Sequence, residues 1–148
     1  MIILVGFVIL LGLVEPKRIP FLFKSAALFV CLRSFFIILT HFAPPINESV
    51  VNSSNFLERL LAGSGYDLFF SGHTGFSFLM ALLFWENKYL RIIFLSASLI
   101  FGAAVLFGHL HYSIDVFSAF FITYGIFNLS KWLFKKDHQL FADTVKAG

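Results

Sequence analysis

The run Leu68-Phe69-Phe70-Ser71-Gly72-His73-Thr74-Gly75-Phe76-Ser77-Phe78-Leu79-Met80-Ala81-Leu82-Leu83-Phe84-Trp85 places a histidine in the first turns of an otherwise apolar stretch. Such a stretch reads as a helix inside a bilayer. An ionisable residue within a membrane span costs about 2.5–3.5 kcal/mol or more at the helix centre, so it is a functional candidate by default. A second run has the same design: His111-Tyr112-Ser113-Ile114-Asp115 lies at the start of the apolar segment Leu110–Phe134. The remaining chain can be read as the scaffold that brings these two starts together.

Composition agrees with a membrane scaffold. The 148 residues are 59% hydrophobic and 13% charged, with a mean hydropathy of +0.88. A soluble domain has roughly 45–50% apolar and about 25% charged residues. The expectation is an all-α, polytopic transmembrane bundle of about five spans, with one membrane domain over residues 1–136 and a polar cytoplasmic tail over 137–148. The net charge of +3 is small, and its basic residues fall in short clusters between apolar runs. That pattern marks membrane topology and argues against a nucleic-acid partner. Cys31 is the single cysteine, so neither a disulfide framework nor a cysteine-based zinc set is available.

In chain order, residues 1–14 form a first apolar run, short against the roughly 20 residues that a span needs. It lacks the basic start and small-residue cleavage site of a signal peptide. Glu15–Pro20 reads as a connector. Phe21–Ala43 is the second run, ending at Pro44-Pro45 and carrying Arg33 well below its surface. Arg33, Ile37, Thr40 and Pro44 follow one helical stripe. Residues 45–67 are the long polar segment, with sequon-like Asn47-Glu48-Ser49 and Asn52-Ser53-Ser54. Leu68–Trp85, Ile92–Gly108 and Leu110–Phe134 are three further spans. Ser71 or Asp67 is placed to cap the first of these. The polar tail would leave His138 solvated.

Charge sets the expected orientation. Lys17 and Arg18, then Lys88 and Arg91, then Lys131, Lys135 and Lys136 gather at alternate span ends. The positive-inside rule puts those ends and the C-terminus in the cytoplasm. His73, His111 and Asp115 then share the extracytoplasmic or lumenal side. This assignment uses none of the motif residues, so it supports a single site independently.

His111 and Asp115 stand four apart, hence on one helical face. A carboxylate that accepts a proton from one imidazole nitrogen fixes the tautomer and leaves the other nitrogen as nucleophile or base. His73, from another helix at the same depth, is suited to protonate a leaving oxygen, an effect typically worth about 10²–10⁴ in rate. Gly72 admits a ligand close to the backbone, and amides at a helix N-terminus suit a phosphate. An alternative is a metal site built from His73, His109, His111 and Asp115. Residues 109 and 111 are about 200° apart on a helix, which disfavours it.

At these residues the chain resembles the sphingomyelin synthase family of the type 2 phosphatidic acid phosphatase superfamily. The resemblance rests on Asp67-Leu68-Phe69-Phe70-Ser71-Gly72-His73-Thr74 and on His109-Leu110-His111-Tyr112-Ser113-Ile114-Asp115-Val116, with Ser113 where the synthases have Thr. A looser match joins Arg33, Thr40, Pro44 and Pro45. Together these cover roughly residues 30–130. The resemblance implies a metal- and cofactor-independent transfer of a phospho-headgroup, phosphocholine or phosphoethanolamine. The donor would be a glycerophospholipid and the acceptor a lipid hydroxyl such as that of ceramide. It also implies a phosphohistidine on His111, orientation by Asp115, acid catalysis by His73, and phosphate contacts from Arg33, Ser71, Gly72, Thr74 and Tyr112. The chain departs from the synthases in its span count and in lacking a Cys near the first motif.

The rival reading is a lipid phosphatase or phosphodiesterase of the same superfamily, with water as acceptor. The phosphatase pattern has an Arg six residues before the second-motif histidine, where this chain has Val105. A phosphomonoester dianion calls for several cations, whereas the single deep Arg33 suits a phosphodiester monoanion.

Overall fold

The computed structural model describes residues 16–39, 71–107 and 113–147. Among them are a 3-10 turn at Pro16–Arg18, five α-helices and no strand. The helices are α1 (Ile19–Leu39), α2 (Gly72–Leu83), α3 (Lys88–Phe107), α4 (Ser113–Leu133) and α5 (Lys135–Ala147). The expected all-α membrane bundle is therefore what the chain forms. The apolar run at residues 1–14, the polar segment at 45–67 and its two sequons lie outside the described residues.

Three helices, α1, α3 and α4, are long and apolar enough to cross a membrane. At 1.5 Å per residue, 20 or 21 residues span about 30 Å, the thickness of the hydrocarbon core. Their outward faces carry Phe35, Ile38, Leu99, Ile100, Phe117 and Phe121, all well exposed. That is the surface expected of helices solvated by lipid. The chain is an integral membrane protein.

Helix α2 is different. It is 12 residues long and sits at the centre, packed against α3, α4 and α1. Thr74, Gly75, Ser77 and every residue from Leu79 to Leu83 are buried. Small residues let the neighbours approach its backbone, the usual device where lipid supplies no hydrophobic drive between helices. A Cβ on Gly75 would meet Thr123 Oγ1 at 2.9 Å and the Phe29 ring at 3.0 Å. Glycine at this point thus brings α4 and α1 onto α2 together.

Local signals set the helix boundaries. Ser71 caps α2; of the two candidate caps, Asp67 lies outside the described residues. Asn87 caps α3, its Oδ1 accepting from the amides of Tyr89 and Leu90, each at 3.1 Å. Arg91 donates to the Trp85 carbonyl at 3.2 Å and lies over the Trp85 ring, which closes the α2–α3 turn. Helix α1 begins at Ile19, inside the segment read as a connector. Pro20 falls in its first turn, where a missing N–H costs no intrahelical bond.

The largest departure is the C-terminal segment. Lys135–Ala147 is an α-helix folded onto the bundle, where a solvated polar tail was expected. Phe141 is buried against Phe21 and Phe84, with Arg18 above its ring. His138 packs edge-on to Phe21, ring centroids 5.0 Å apart, so it is a packing residue as well as a polar one. Burial, and then the nearby Lys131 charge, hold its pKa below the usual histidine value. Lys24 joins Asp137 at 2.6 Å. These contacts gather the basic connectors at one end of the bundle. Arg33 and the starts of α2 and α4 are at the other end.

Candidate active site

The two motif segments meet through their backbones. The Ser71 amide donates to the Asp115 carbonyl at 3.3 Å, so the start of α2 is tied to the first turn of α4. Two residues 44 positions apart in sequence are thereby neighbours at one end of the bundle. The same backbone bond fixes the relative depth of the two motifs.

Arg33 arrives from α1. Its guanidinium lies directly against Gly72: a Cβ there would meet Arg33 Nε at 2.7 Å, Cζ at 2.8 Å and an Nη at 3.1 Å. Among the described residues, Arg33 is the one cation at this end. The absence of a side chain at Gly72 is what makes the approach possible. Thr40, Pro44 and Pro45 lie outside the described residues.

Ser71 and Thr74 are fully buried. Thr74 Oγ1 donates to Ser71 Oγ at 3.1 Å, and the Thr74 amide reaches the same oxygen at 3.5 Å. The Gly75 amide donates to the Ser71 carbonyl at 2.9 Å. These two hydroxyls are thus engaged in capping α2, one of the most effective ways to satisfy the first-turn donors. His73 is half-buried, its ring 5.9 Å from that of Phe101 and inclined at 55°. The Ser77 hydroxyl bonds the His73 carbonyl at 2.9 Å.

Asp115 is 1% exposed and lies in the first turn of α4, where a carboxylate is favoured by the helix dipole. Ser118, on the same stripe, donates to its carbonyl at 3.1 Å. His111 and Tyr112 lie outside the described residues, as does His109. The structure therefore brings together Arg33, Ser71, Gly72, His73, Thr74 and Asp115. The described residues contain no cluster of metal-binding side chains.

Helix α3 contributes residues that the sequence did not flag. Ser98 donates to the Thr74 carbonyl at 2.8 Å. Gly102 is buried between the motifs: a Cβ there would meet Val116 Cγ1 at 3.1 Å and Thr74 at 3.6 Å. A helix whose charged residues are confined to its first turn thus sets the spacing between the His73 and Asp115 segments. Ser98 and Gly102 lie four apart on one face, as does Phe94 four residues earlier, and all three are buried. That small-residue stripe is the one signal that could have found them.

A half-buried histidine and a buried carboxylate, beside a guanidinium and a helix N-terminus, are suited to a phosphate ester. The N-terminal amides and the dipole favour the anion. A low-dielectric setting strengthens the arginine contact. Comparison with known proteins agrees with this chemistry. No curated protein and no solved structure matches the chain. Residues 66–132 match the family model described as PAP2 superfamily C-terminal, a stretch that holds both motifs, α2, α3 and nearly all of α4. Over this stretch the chain is similar to the type 2 phosphatidic acid phosphatase superfamily, whose members are lipid phosphatases and phosphotransferases.

Proposed function

We propose that this protein transfers a phospho-headgroup from a glycerophospholipid to a lipid hydroxyl, as sphingomyelin synthase-like enzymes do. The carrying observation is the seat of Arg33 on Gly72 beside the Ser71–Asp115 link. One guanidinium at the described site complements the single charge of a phosphodiester. In this reading the His111 imidazole nitrogen attacks phosphorus, and the bond from phosphorus to the diacylglycerol oxygen breaks. His73 gives that oxygen its proton. The acceptor hydroxyl then loses its proton to His73 and attacks the phosphohistidine, which releases His111. Asp115 holds the His111 tautomer throughout. Arg33 and the first-turn amides of α2 hold the non-bridging oxygens, and Tyr112 is a further substrate contact. No metal or cofactor takes part. The donor and acceptor lipids reach the site from the bilayer, on the extracytoplasmic or lumenal side, with the C-terminus cytoplasmic.

The superfamily also includes hydrolases, and Arg33 with helix amides would serve a phosphomonoester too. The test is protein in liposomes with headgroup-labelled phosphatidylcholine or phosphatidylethanolamine, EDTA present, ceramide added or omitted. Label moving to a new lipid, only with ceramide and only with His111 intact, is the expected result. Water-soluble phosphocholine or phosphoethanolamine from wild type, lost in His111→Ala, would replace the transferase with a phosphodiesterase. Phosphate release from phosphatidic acid alone would replace it with a phosphatase.

A further inference from the structure

A cleft lies at the end of the bundle remote from the motifs. A cavity of about 350 Å³ opens between the first turns of α1 and the α4–α5 junction, lined by Lys24, Trp132, Leu133, Phe134, Lys135, Lys136 and Asp137. Three lysines line it against one aspartate. That carboxylate, Asp137, is engaged by Lys24 at 2.6 Å, and the Lys24 ammonium also lies 5.5 Å from the centre of the Phe134 ring. Lys135 and Lys136 are exposed and belong to the first turn of α5, whose N-terminal dipole adds to their field.

The apolar part of the lining is equally informative. Trp132 is 65% exposed and Leu133 46% exposed, and both lie in the last turn of the membrane-spanning helix α4. An exposed tryptophan at a span end sits at the depth of lipid headgroups, its ring in the hydrocarbon and its N–H toward water. A soluble anion would have no use for that wall. An acyl chain would lie along it.

We propose that this cleft binds the headgroup of an anionic bilayer phospholipid, with the phosphate on Lys24, Lys135 and Lys136 and the chains along Trp132 and Leu133. Basic pockets between span ends are suited to such headgroups, because lysines near the bilayer surface attract anionic lipids. The site is at the opposite end from Arg33, His73 and Asp115, so it does not depend on the reaction assigned to them. Its occupant bridges α1 to the α4–α5 junction, and so holds the C-terminal helix on the bundle.

The chain has two tryptophans, and Trp85 can be removed as Trp85→Phe, which leaves Trp132 as the sole reporter. The full protein would be placed in phosphatidylcholine vesicles with a minor fraction of brominated phosphatidylglycerol or, in parallel, brominated phosphatidylcholine. Brominated phosphatidylglycerol should quench Trp132 at least twofold more strongly. Lys135→Gln with Lys136→Gln, which keeps the Lys24–Asp137 pair, should remove the difference, and adding Lys24→Gln should change it no further. Lys88→Gln, at the same end but outside the cleft, should retain it. Circular dichroism establishes that each variant is folded. Equal quenching by both lipids in the parent overturns the site. A preference lost equally in Lys88→Gln overturns it in favour of a diffuse basic face. Full reversal by soluble glycerophosphate overturns the lipid in favour of a soluble phosphate ester.

Discussion

The Arg33 guanidinium occupies the space that a side chain at position 72 would fill, with Nε 2.7 Å from where a Cβ would stand. The far end of a flexible side chain is what must yield if that space is filled. Gly72→Ala should therefore leave the fold intact and push the guanidinium off the start of α2. A misplacement of about 1 Å can cost roughly 10²-fold in rate. Turnover of headgroup-labelled lipid should fall by about that factor, with thermal unfolding nearly unchanged. Arg33→Lys should fall comparably, because an ammonium cannot reproduce the planar fork. Full activity in Gly72→Ala would separate Arg33 from the reaction.

Asp115 is buried at the start of α4, and in the proposed reaction its charge orients His111. Asp115→Asn keeps the shape and removes the charge. Activity should fall by about 10²–10⁴, the range for a lost acid–base contribution. Its backbone carbonyl would still accept from Ser71, so elution as a folded particle in detergent should be retained. His111→Ala should be at least as impaired, and the double variant no worse than His111→Ala alone. An additive double variant would show the two residues acting separately.

Ser98 and Gly102 distinguish fastening from spacing. The Thr74 carbonyl that accepts from Ser98 also belongs to a helix, so Ser98→Ala removes one of its contacts without stranding it. Interhelical hydrogen bonds in membranes average about 0.6 kcal/mol, a shift of about 2 °C in midpoint for a chain of this size. Gly102→Ala places a methyl 3.1 Å from Val116 Cγ1 and widens the gap between the motif segments. The expected signature is a several-fold fall in kcat with little change in KM. A change in KM alone would assign Gly102 to substrate entry.

His138 makes stability depend on pH at the opposite end. Its pKa is lowered by burial against the bundle and then by Lys131, so the folded state favours the neutral ring. The unfolded chain takes up its proton near pH 6.5, at a pH where the folded protein still resists it. Stability from this group is thus full above about pH 6.5 and falls as pH drops toward the folded value. Thermal midpoints should decrease between pH 7.5 and 5.5. In His138→Phe, which keeps the ring contact with Phe21, the decrease should be smaller. Identical pH profiles for the two proteins would assign the dependence to other groups.

Much of the architecture was legible in the sequence because it is local. Predominantly apolar runs of span length specify α1, α3 and α4 wherever they sit. Ser71 before an apolar stretch specifies a helix start, and His73 and Asp115 stand out because ionisable groups are costly in hydrocarbon. The charge pattern also grouped Lys17, Arg18, Lys88 and Arg91 at one set of span ends, and the fold gathers them there. The structure describes neither His111 nor Tyr112, so their part rests on the motif.

What the tertiary structure alone decided is which surfaces meet. Helix α1 has apolar residues on every side, so the sequence does not announce that Phe29 turns to Gly75 or that Arg33 turns to Gly72. Helix α3 carries no charge beyond its first turn, and Ser98 and Gly102 acquire a role only when Thr74 and Val116 arrive against them. The last 13-residue helix reads as a polar tail because its apolar face is narrow. It is held by partners more than 50 residues away, Phe21 and Phe84 against Phe141 and Lys24 against Asp137. Hydropathy and capping act within a few residues along the chain and fix the elements. Close approach between helices depends on small residues facing large ones across the bundle, and only the assembled fold pairs them.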